Sequence, residues 1–422
     1  MRPGGGMKNR RDFLKFLSIA TVGSTNSAAF SSSGTAFAGK FLVTVQAIGG
    51  WDVSSFCDPK ENQAGEQEIT TWSREAVVLK AGNISYAPFA RNETFFTKHA
   101  HRTLVINGVD AQTNAHDIGT LTNWSGRTAS GFPTLPSLYS ATFAPEKPMS
   151  FISFGGLDRT EGLIRHTMLD HSAGQLSNLL KPNQSYSTSM IDPELWEIIK
   201  QVHTYDSKIL LTDQTLVAGN RLLIDSYMSS MENTAPLLKF ADTLRTGLDP
   251  APKNNYLSTQ ADFAVLAFKS GVSVSANLWA GAFDTHANHD RDQSLALIEL
   301  TEGLNYLWDK AAEAGIADRL IVVVGSDFSR TPYYNEHQGK DHWPIGSYMV
   351  MENGVSYSNR VVQGSDEGQN AVGIDPATLQ PSGFGAKILT SHVHDALRSY
   401  LGLENLGEIF PINNSEKFDF FS

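Results

Sequence analysis

The chain has 422 residues, of which 41% are hydrophobic and 18% are charged, and its formal net charge is −11. This composition supplies a large apolar core and excludes a disordered chain. The acidic excess repels phosphate backbones and anionic lipid headgroups, so it argues against nucleic-acid binding and against stable membrane insertion. The length is within reach of one large α/β domain.

The first 38 residues have the pattern of a secretory signal, although an amphipathic first helix is the alternative. Arg10-Arg11 precedes an apolar stretch that is too short to span a bilayer, and Ala36-Phe37-Ala38 is a candidate cleavage site. The sequence therefore predicts a twin-arginine-type signal peptide over residues 1–38, export by the twin-arginine machinery, and a periplasmic or secreted mature protein. Removing this segment leaves 28 basic and 43 acidic residues, a net charge of −15.

Cys57 is the only cysteine, so no intramolecular disulfide forms and the chain does not need an oxidising compartment for stability. A catalytic thiol is one interpretation of this residue. A small packing residue just after a strand is the other, and it is favoured.

The first predicted element is a buried strand over the β-branched run Phe41–Ala47, which ends at Gly49-Gly50. Short strands are also predicted within RTLVING and EKPMSFISFGG. Between them we expect a helix over about residues 114–124 and another after Pro133. Asp-Pro at 192–193 then begins a helical insert over about residues 190–245, a candidate cap or lid.

The C-terminal part alternates between helix and strand. QADFAVLAFKSG predicts a helix, VSVSANLWAGAFDTH a strand, and DRDQSLALIELTEGLNYLWDKAAEAG a long amphipathic helix. RLIVVVGSDFSR and SYMVMEN predict strands, and SHVHDALRSYLGL predicts a final helix capped by serine. This order predicts a single α/β domain over residues 39–422, with a mostly parallel sheet covered on both faces.

Acidic and imidazole side chains follow several of the predicted strands. Because ligands gather outside the carboxyl ends of parallel strands, these side chains are expected to converge. Asp52 follows the first strand. Asp284, His286 and His289 follow the strand Val272–Trp279, and Asp327 follows the strand Leu320–Gly325. The next loop adds His337, Asp341 and His342.

This mixture of oxygen and nitrogen donors suits a divalent metal ion, namely zinc, manganese, iron or magnesium, and the lack of thiolates argues against a structural zinc site. Such an ion polarises a phosphoryl or sulfuryl oxygen, so ester hydrolysis is the natural reaction. Taken singly, each residue has a plainer interpretation, since histidines are often satisfied structural groups and strand-end aspartates often cap helices or turns.

The succession GGWD, FDTHANHD, VVVGSDFSRTP and GKDHWP resembles an exported bacterial family that is number fifteen-oh-one among the domains of unknown function. Its members have GG-D, GWDTHA, SEFGRTP and GTDHG at corresponding places, and the resemblance runs from about Phe41 to Leu403. That family is grouped with the alkaline phosphatase and sulfatase superfamily. The resemblance therefore implies a three-layer α/β/α sandwich with a metal site of one or two ions at the strand ends.

By this resemblance, Asp52 and Asp327 would hold one metal ion, and Asp284, His342 and either His286 or His289 would hold the other. The chain departs from the superfamily pattern at Phe328, where phosphatases have a histidine after the aspartate. The D-x-x-x-H spacing of the superfamily is also absent. His116 and Asp117 would supply the imidazole that is missing at Phe328.

The superfamily also implies a nucleophile at a helix start after the second strand. Thr113 stands there with His116 one turn away, so it is either the nucleophile or the helix N-cap. Arg127 and Arg330 are candidates for gripping an anionic substrate, because a guanidinium matches phosphate or sulfate bidentately, or they are surface ion-pair residues.

The function that the sequence predicts is an exported metal-dependent hydrolase of phosphate or sulfate esters, with an anionic ester or polysaccharide as substrate. The alternative is a catalytically degenerate member of the superfamily that binds metal or glycan. A third interpretation keeps the fold but assigns another reaction, such as phosphoryl transfer.

Overall fold

The computed structural model describes residues 37–170, 176–181, 191–213, 215–217, 220–221, 224, 228, 234–247 and 254–422. The predicted signal peptide lies outside the described residues except for Phe37 and Ala38. Part of the predicted insert over residues 190–245 also lies outside them. The boundaries predicted for both segments therefore stay predictions.

The strands are β1 (Phe41–Ala47), β2 (Leu79–Ala81), β3 (Ile84–Tyr86), β4 (Thr103–Asp110), β5 (Phe151–Ser153), β6 (His166–Met168), β7 (Ser275–Ala280), β8 (Leu320–Ser326), β9 (Ser329–Arg330), β10 (His342–Trp343), β11 (Ile345–Glu352) and β12 (Arg360–Val362). The helices are α1 (Asn92–His99), α2 (His116–Ser125), α3 (Leu135–Phe143), α4 (Leu176–Leu180), α5 (Pro193–Thr212), α6 (Thr234–Gly247), α7 (Tyr256–Lys269), α8 (His289–Glu313), α9 (Thr390–Tyr400) and α10 (Glu404–Gly407).

Eight strands form the central sheet in the order β12-β4-β11-β8-β1-β7-β5-β6. Strand β11 runs antiparallel to both of its neighbours, and the other pairings are parallel. The prediction of an α/β fold with a mostly parallel central sheet is confirmed.

Strand β8 illustrates how both faces of the sheet are covered. Its side chains alternate between two cores, because successive residues of a strand point to opposite faces. Leu320 and Val322 pack in one core with residues of α7 and α8, whereas Ile321 and Val323 pack in the other with residues of α2, α3 and α9. A continuous apolar strand is the composition that two covered faces require.

Two local predictions are settled by this architecture. Cys57 is fully buried in the first core, where burial raises the pKa of its thiol, so it is a packing residue. The helix predicted over SHVHDALRSYLGL is α9, which has its N-cap at Leu389, whose backbone N–H donates to His392 Nδ1 at 3.0 Å. The predicted serine cap is wrong, because the helix begins at Thr390 and Ser391 therefore lies inside its first turn.

Helix α5 begins as the sequence predicted, since the Asp192 side chain accepts from the backbone N–H groups of Glu194 and Leu195. Several of its apolar side chains are exposed, among them Ile198 and Tyr205. Within the described part of the chain, no helix is both long and apolar enough to cross a bilayer.

Candidate metal centre

The loops that carry the candidate ligands meet at one edge of the sheet. Ala47, the last residue of β1, pairs with Ala280 on β7 and with Ser326 on β8, so these three strands end level. Strand β11 enters at the same edge, because Ile345 pairs antiparallel with Asp110 at the end of β4. The chain therefore brings the loops after four strands, and the loop before β11, to a common rim.

Three side chains at this rim form a group that we call the rim cluster: His116, Asp284 and His342. One ligand atom from each lies within 4.8 Å of the others. His116 Nε2 is 3.6 Å from Asp284 Oδ2, and His342 Nε2 is 3.6 Å from Asp284 Oδ1. Two ligand atoms bound at about 2.1 Å to a tetrahedral ion lie about 3.4 Å apart, so the spacing suits one divalent ion.

Both imidazoles of the rim cluster are oriented by an oxygen acceptor at Nδ1. His116 Nδ1 contacts Asp327 Oδ2, and His342 Nδ1 is 2.7 Å from the carbonyl oxygen of Asn114. Since each acceptor takes an N–H, the lone pair lies on Nε2, the arrangement usual for metal-bound histidines. His116 Nε2 is buried and has no hydrogen-bond partner among the described residues, so this donor set fits a cation.

His286 lies at the edge of the rim cluster. Its Nδ1 is 2.7 Å from Asp341 Oδ1, and its Nε2 is 3.1 Å from Asp284 Oδ1 and 3.0 Å from His342 Nε2. Because the Nδ1 atoms of His286 and His342 both donate to oxygen acceptors, the Nε2 lone pairs of these two rings face each other. This contact is repulsive unless a proton or a cation lies between them.

Arg330 holds Asp284 in place. Its fully buried guanidinium donates to Asp284 Oδ1 at 2.7 Å, to the carbonyl of Gly50 at 2.9 Å and to that of Lys340 at 3.2 Å. Burial works to raise the pKa of Asp284, but the bond from Arg330 outweighs it and keeps the pKa below its ordinary value. The carboxylate is therefore ionised, as a metal ligand must be.

These contacts change the role expected of two arginines. Arg330 was a candidate for gripping substrate or for a surface ion pair, yet its side chain is buried and donates to protein groups. Arg127 lies with its guanidinium 4.7 Å from the centre of the Phe132 ring. Arg330 instead orients Asp284, a role that the sequence did not predict.

Asp327 orients His116 instead of facing the rim directly. Its Oδ1 accepts from the backbone N–H of Gly50 at 2.8 Å, from that of Gly49 at 3.2 Å and from Ser326 Oγ at 2.9 Å, while Oδ2 faces His116. That last hydrogen bond raises the pKa of His116. Asp327, predicted as a metal ligand, thus reaches the rim cluster through an imidazole.

The two glycines after β1 are required by this geometry. Both have positive φ, +110° at Gly49 and +82° at Gly50, which turns both N–H groups toward the same carboxylate. A Cβ atom at Gly49 would also lie 2.5 Å from the backbone nitrogen of Asp284. The GG motif therefore lets the first loop approach the second.

Phe328, which stands where the superfamily pattern has a histidine, packs beneath the rim cluster. Its ring centre is 4.6 Å from that of His116 and 4.4 Å from that of His342. His116 is thus placed beside Asp327 and Phe328, where the sequence predicted a replacement imidazole. Asp117 is exposed, and its carboxylate accepts from the backbone N–H of Ile118.

Asp52 and His289, both predicted as metal ligands, lie instead in a buried network. Asp52 Oδ2 is 2.8 Å from His289 Nε2 and 2.9 Å from Lys340 Nζ, and all three side chains are fully buried. Burial alone would raise the pKa of Asp52, but Lys340 and His289 hold it well below its usual range. Protein donors therefore occupy the place expected for a metal ion, and of the two candidate histidines only His286 reaches the rim.

Lys340 was not predicted as a site residue, although the GKDHWP motif contains it, and neither was the backbone oxygen of Asn114. The N-cap predicted at Thr113 is wrong, because the N-cap of α2 is Ala115. The half-buried Thr113 hydroxyl accepts from the backbone N–H of Ala115 at 3.1 Å. As a nucleophile Thr113 stays a prediction.

One family model matches the chain, that of a protein of unknown function (DUF1501), over residues 245–374. This range contains Asp284, His286, Asp327 and His342, and it leaves His116 outside. No curated protein matches the sequence.

Several solved structures are similar to the chain at low identity. They include Ps i-CgsB in complex with k-i-k-neocarrahexaose, at 8% identity and a TM-score of 0.40, with 91% of this chain and 75% of that chain covered. The lipoteichoic acid synthase LtaP from Listeria monocytogenes is 11% identical with a TM-score of 0.39, over 91% of this chain and 74% of that one. An alkaline phosphatase from the Antarctic bacterium TAB5 is 9% identical with a TM-score of 0.35, over 76% and 94%.

Proposed function

We propose that the protein is a metal-dependent hydrolase of phosphate or sulfate esters. The observation that carries the proposal is the rim cluster, in which two imidazoles anchored at Nδ1 aim their Nε2 atoms at the ionised Asp284. Two imidazoles and a carboxylate suit zinc, manganese or iron more than magnesium. When bound there, such an ion would polarise a phosphoryl or sulfuryl oxygen and lower the pKa of a water molecule.

The residues around the rim cluster have separate tasks in this proposal. Asp284, His116 and His342 would bind the ion, and Arg330 keeps Asp284 ionised. Asp327 fixes the tautomer of His116, as second-shell carboxylates do for metal-bound histidines.

His286 is the candidate for proton transfer. Its side chain is 47% exposed, and its Nδ1 is held by Asp341 while Nε2 faces the rim cluster. An imidazole oriented by a carboxylate and open to solvent has the geometry of a general acid or base.

The test compares two aspartate variants of the chain from residue 39 onward, assayed with chromogenic phosphate and sulfate esters in the presence of zinc or manganese. Asp284→Ala is expected to lose bound metal and to lower the rate at least about 100-fold, because a ligand contributes more than the outer-shell groups that cost about 10–100-fold. Asp309→Ala is the control, since its carboxylate is exposed and pairs with Lys98 at 2.7 Å. Hydrolysis that survives both a chelator and Asp284→Ala would contradict the proposal.

A second candidate, a protein that binds metal or glycan without turnover, is favoured by one observation. Arg330, expected to grip an anionic substrate, donates to protein oxygens and is fully buried. Metal binding that depends on Asp284, together with no hydrolysis of any ester in the panel, would support this candidate over the hydrolase.

We also propose that the protein is exported through the twin-arginine pathway to the periplasm or beyond. The support is the sequence pattern at Arg10-Arg11. Replacing both arginines by lysine in the full chain is expected to retain the protein in the cytoplasm, as measured by cell fractionation. An unchanged distribution would exclude this route.

A further inference from the structure

In the buried network around Asp52, hydrogen-bond donors of the protein surround the carboxylate on all sides, whereas a metal ligand keeps a lone pair free for the ion. Five donors reach the two oxygens of this one carboxylate. They are the backbone N–H of Ser54 at 3.0 Å, Ser54 Oγ at 2.6 Å, Ser55 Oγ at 3.0 Å, His289 Nε2 at 2.8 Å and Lys340 Nζ at 2.9 Å. A carboxylate offers about four lone-pair positions, so Asp52 has no acceptor capacity left for an ion.

The direction of each hydrogen bond follows from the charge state of His289. Burial lowers the pKa of His289, so its ring is neutral at neutral pH and carries one proton. That proton lies on Nε2, because the carboxylate of Asp52, 2.8 Å away, can only accept. His289 Nδ1 is then the acceptor for the hydroxyl of Thr285 at 2.7 Å, while Thr285 Oγ1 accepts from Gln293 Nε2 at 3.0 Å.

The charges of the network balance without a metal ion. With His289 neutral, the ammonium of Lys340 and the carboxylate of Asp52 form a single ion pair, and both side chains are fully buried. An added divalent ion would leave net positive charge in a dry site, and unpaired buried charge costs several kcal/mol or more. Asp327 is the other carboxylate expected at a second ion, and its oxygens also have protein hydrogen-bond partners. These partners are Gly49, Gly50, Ser326 and His116.

We infer that the ammonium of Lys340 takes the place of a second metal ion, so that the protein holds one ion, at the rim cluster, and Asp52 is not a ligand. The inference rests on the proposed function, since it fixes the number of ions at that site. It also makes Lys340 a positioning residue. Lys340 Nζ ties the loop after β1 to the loop that carries His342, and its backbone N–H donates to the carbonyl of Thr285 at 3.1 Å.

The experiment counts ions per chain. The chain from residue 39 is saturated with zinc, and in a second series with manganese, freed of excess metal by gel filtration and analysed by mass spectrometry of the metal. We expect one equivalent in the wild type, one in Asp52→Asn and less than about a tenth of an equivalent in Asp284→Asn. Thermal melting supplies a second readout, since the metal should raise the melting temperature of Asp52→Asn but not that of Asp284→Asn.

Two equivalents in the wild type that fall to one in Asp52→Asn would overturn the inference and leave the proposed function standing. No bound metal in the wild type would contradict the proposed function, and it would also contradict the inferred count of one ion per chain. If Asp52→Asn does not fold, the wild-type count decides, with one equivalent as support and two as refutation.

Discussion

The rim cluster and the network around Asp52 both contain aspartate and histidine side chains at the ends of neighbouring strands. Among the residues that the structure describes, only in the network do protein groups satisfy all of the hydrogen-bonding atoms of these side chains. In the network, every oxygen of Asp52 and both nitrogens of His289 have protein partners. In the rim cluster, the Nε2 atoms of His116 and His342 face the carboxylate of Asp284 across 3.6 Å. An aspartate and a histidine therefore form a buried structural network where the chain supplies the opposing hydrogen-bond donors, and they leave ligand atoms for the proposed ion where it does not.

The two regions also differ in how far their aspartate side chains are exposed to solvent. The Asp284 side chain is 51% exposed, whereas the Asp52 side chain is fully buried. An ion can reach and leave the first from solvent, while the second would require a divalent charge to enter a dry interior. The two regions should therefore respond differently to substitution, acid and added metal.

The largest effect is expected from Lys340→Met, which leaves the buried carboxylate of Asp52 without its cation. Breaking a buried pair in this way costs about 3–5 kcal/mol of unfolding free energy, measurable by urea denaturation of the metal-free protein. Lys98→Met removes one member of the exposed pair with Asp309 and should cost no more than about 1 kcal/mol. Equal losses in the two variants would show that Lys340 contributes no more to stability than an exposed lysine.

Asp327→Asn should weaken metal binding with little change in fold. The amide N–H of asparagine would face His116 Nδ1, so the imidazole would keep its own proton on Nε2 and lose the lone pair that faces Asp284. Outer-shell changes of this kind cost about 10–100-fold in metal affinity, which isothermal titration with zinc measures. Wild-type affinity in a folded variant would show that His116 does not need this orientation.

Acid should empty the rim cluster before it affects the network. The hydrogen bond to Asp327 raises the pKa of His116 above its ordinary 6.5, so protons compete with the metal already near neutral pH. Burial works to raise the pKa of Asp52, but Lys340 and His289 hold it well below its usual range. Since that pKa is depressed, the stabilisation by Asp52 is fully present above its unfolded pKa of about 3.9 and is lost only below it.

We therefore expect zinc affinity to fall between about pH 7 and pH 5, where histidines gain protons, while the stability difference between wild type and Asp52→Asn stays constant to about pH 4. Zinc titrations and urea denaturation of the same samples across this range check both halves. A stability difference that shrinks together with the metal affinity would contradict the assignment of separate roles.

The smallest effect is expected from Asp341→Asn. Asp341 orients His286 at the edge of the rim cluster, but its side chain is 54% exposed. An exposed pair contributes up to about 1 kcal/mol, so zinc affinity should change by no more than about fivefold. A loss as large as that of Asp327→Asn would place His286 among the principal ligands.

Much of the fold could be predicted because its strands carry their signal locally. The apolar run at Phe41–Ala47 coincides with β1, and the run before Asp327 coincides with β8. Strands β6 and β12 have three residues each, too few to show a periodic pattern, and neither was predicted. The partner of β12, which is β4, also lies far earlier in the chain, since Arg360 pairs with Leu104.

The site was harder to predict than the fold. That Asp284 and His342 share a rim followed from the strand order, but the choice between His286 and His289 depended on where α8 begins. Asn288 adopts a left-handed conformation, φ +48°, and the helix starts at His289, which carries that imidazole into the interior. The contact between Lys340 and Asp52 spans 288 positions, so no local pattern could announce it.

Anomalous diffraction from a crystal grown with zinc would locate each bound ion and so decide whether the rim cluster alone holds metal. We predict one peak per chain, about 2.0–2.2 Å from His116 Nε2, a carboxylate oxygen of Asp284 and His342 Nε2, with no peak beside Asp52. A peak bonded to Asp52, or none within bonding distance of the rim cluster, would contradict the account.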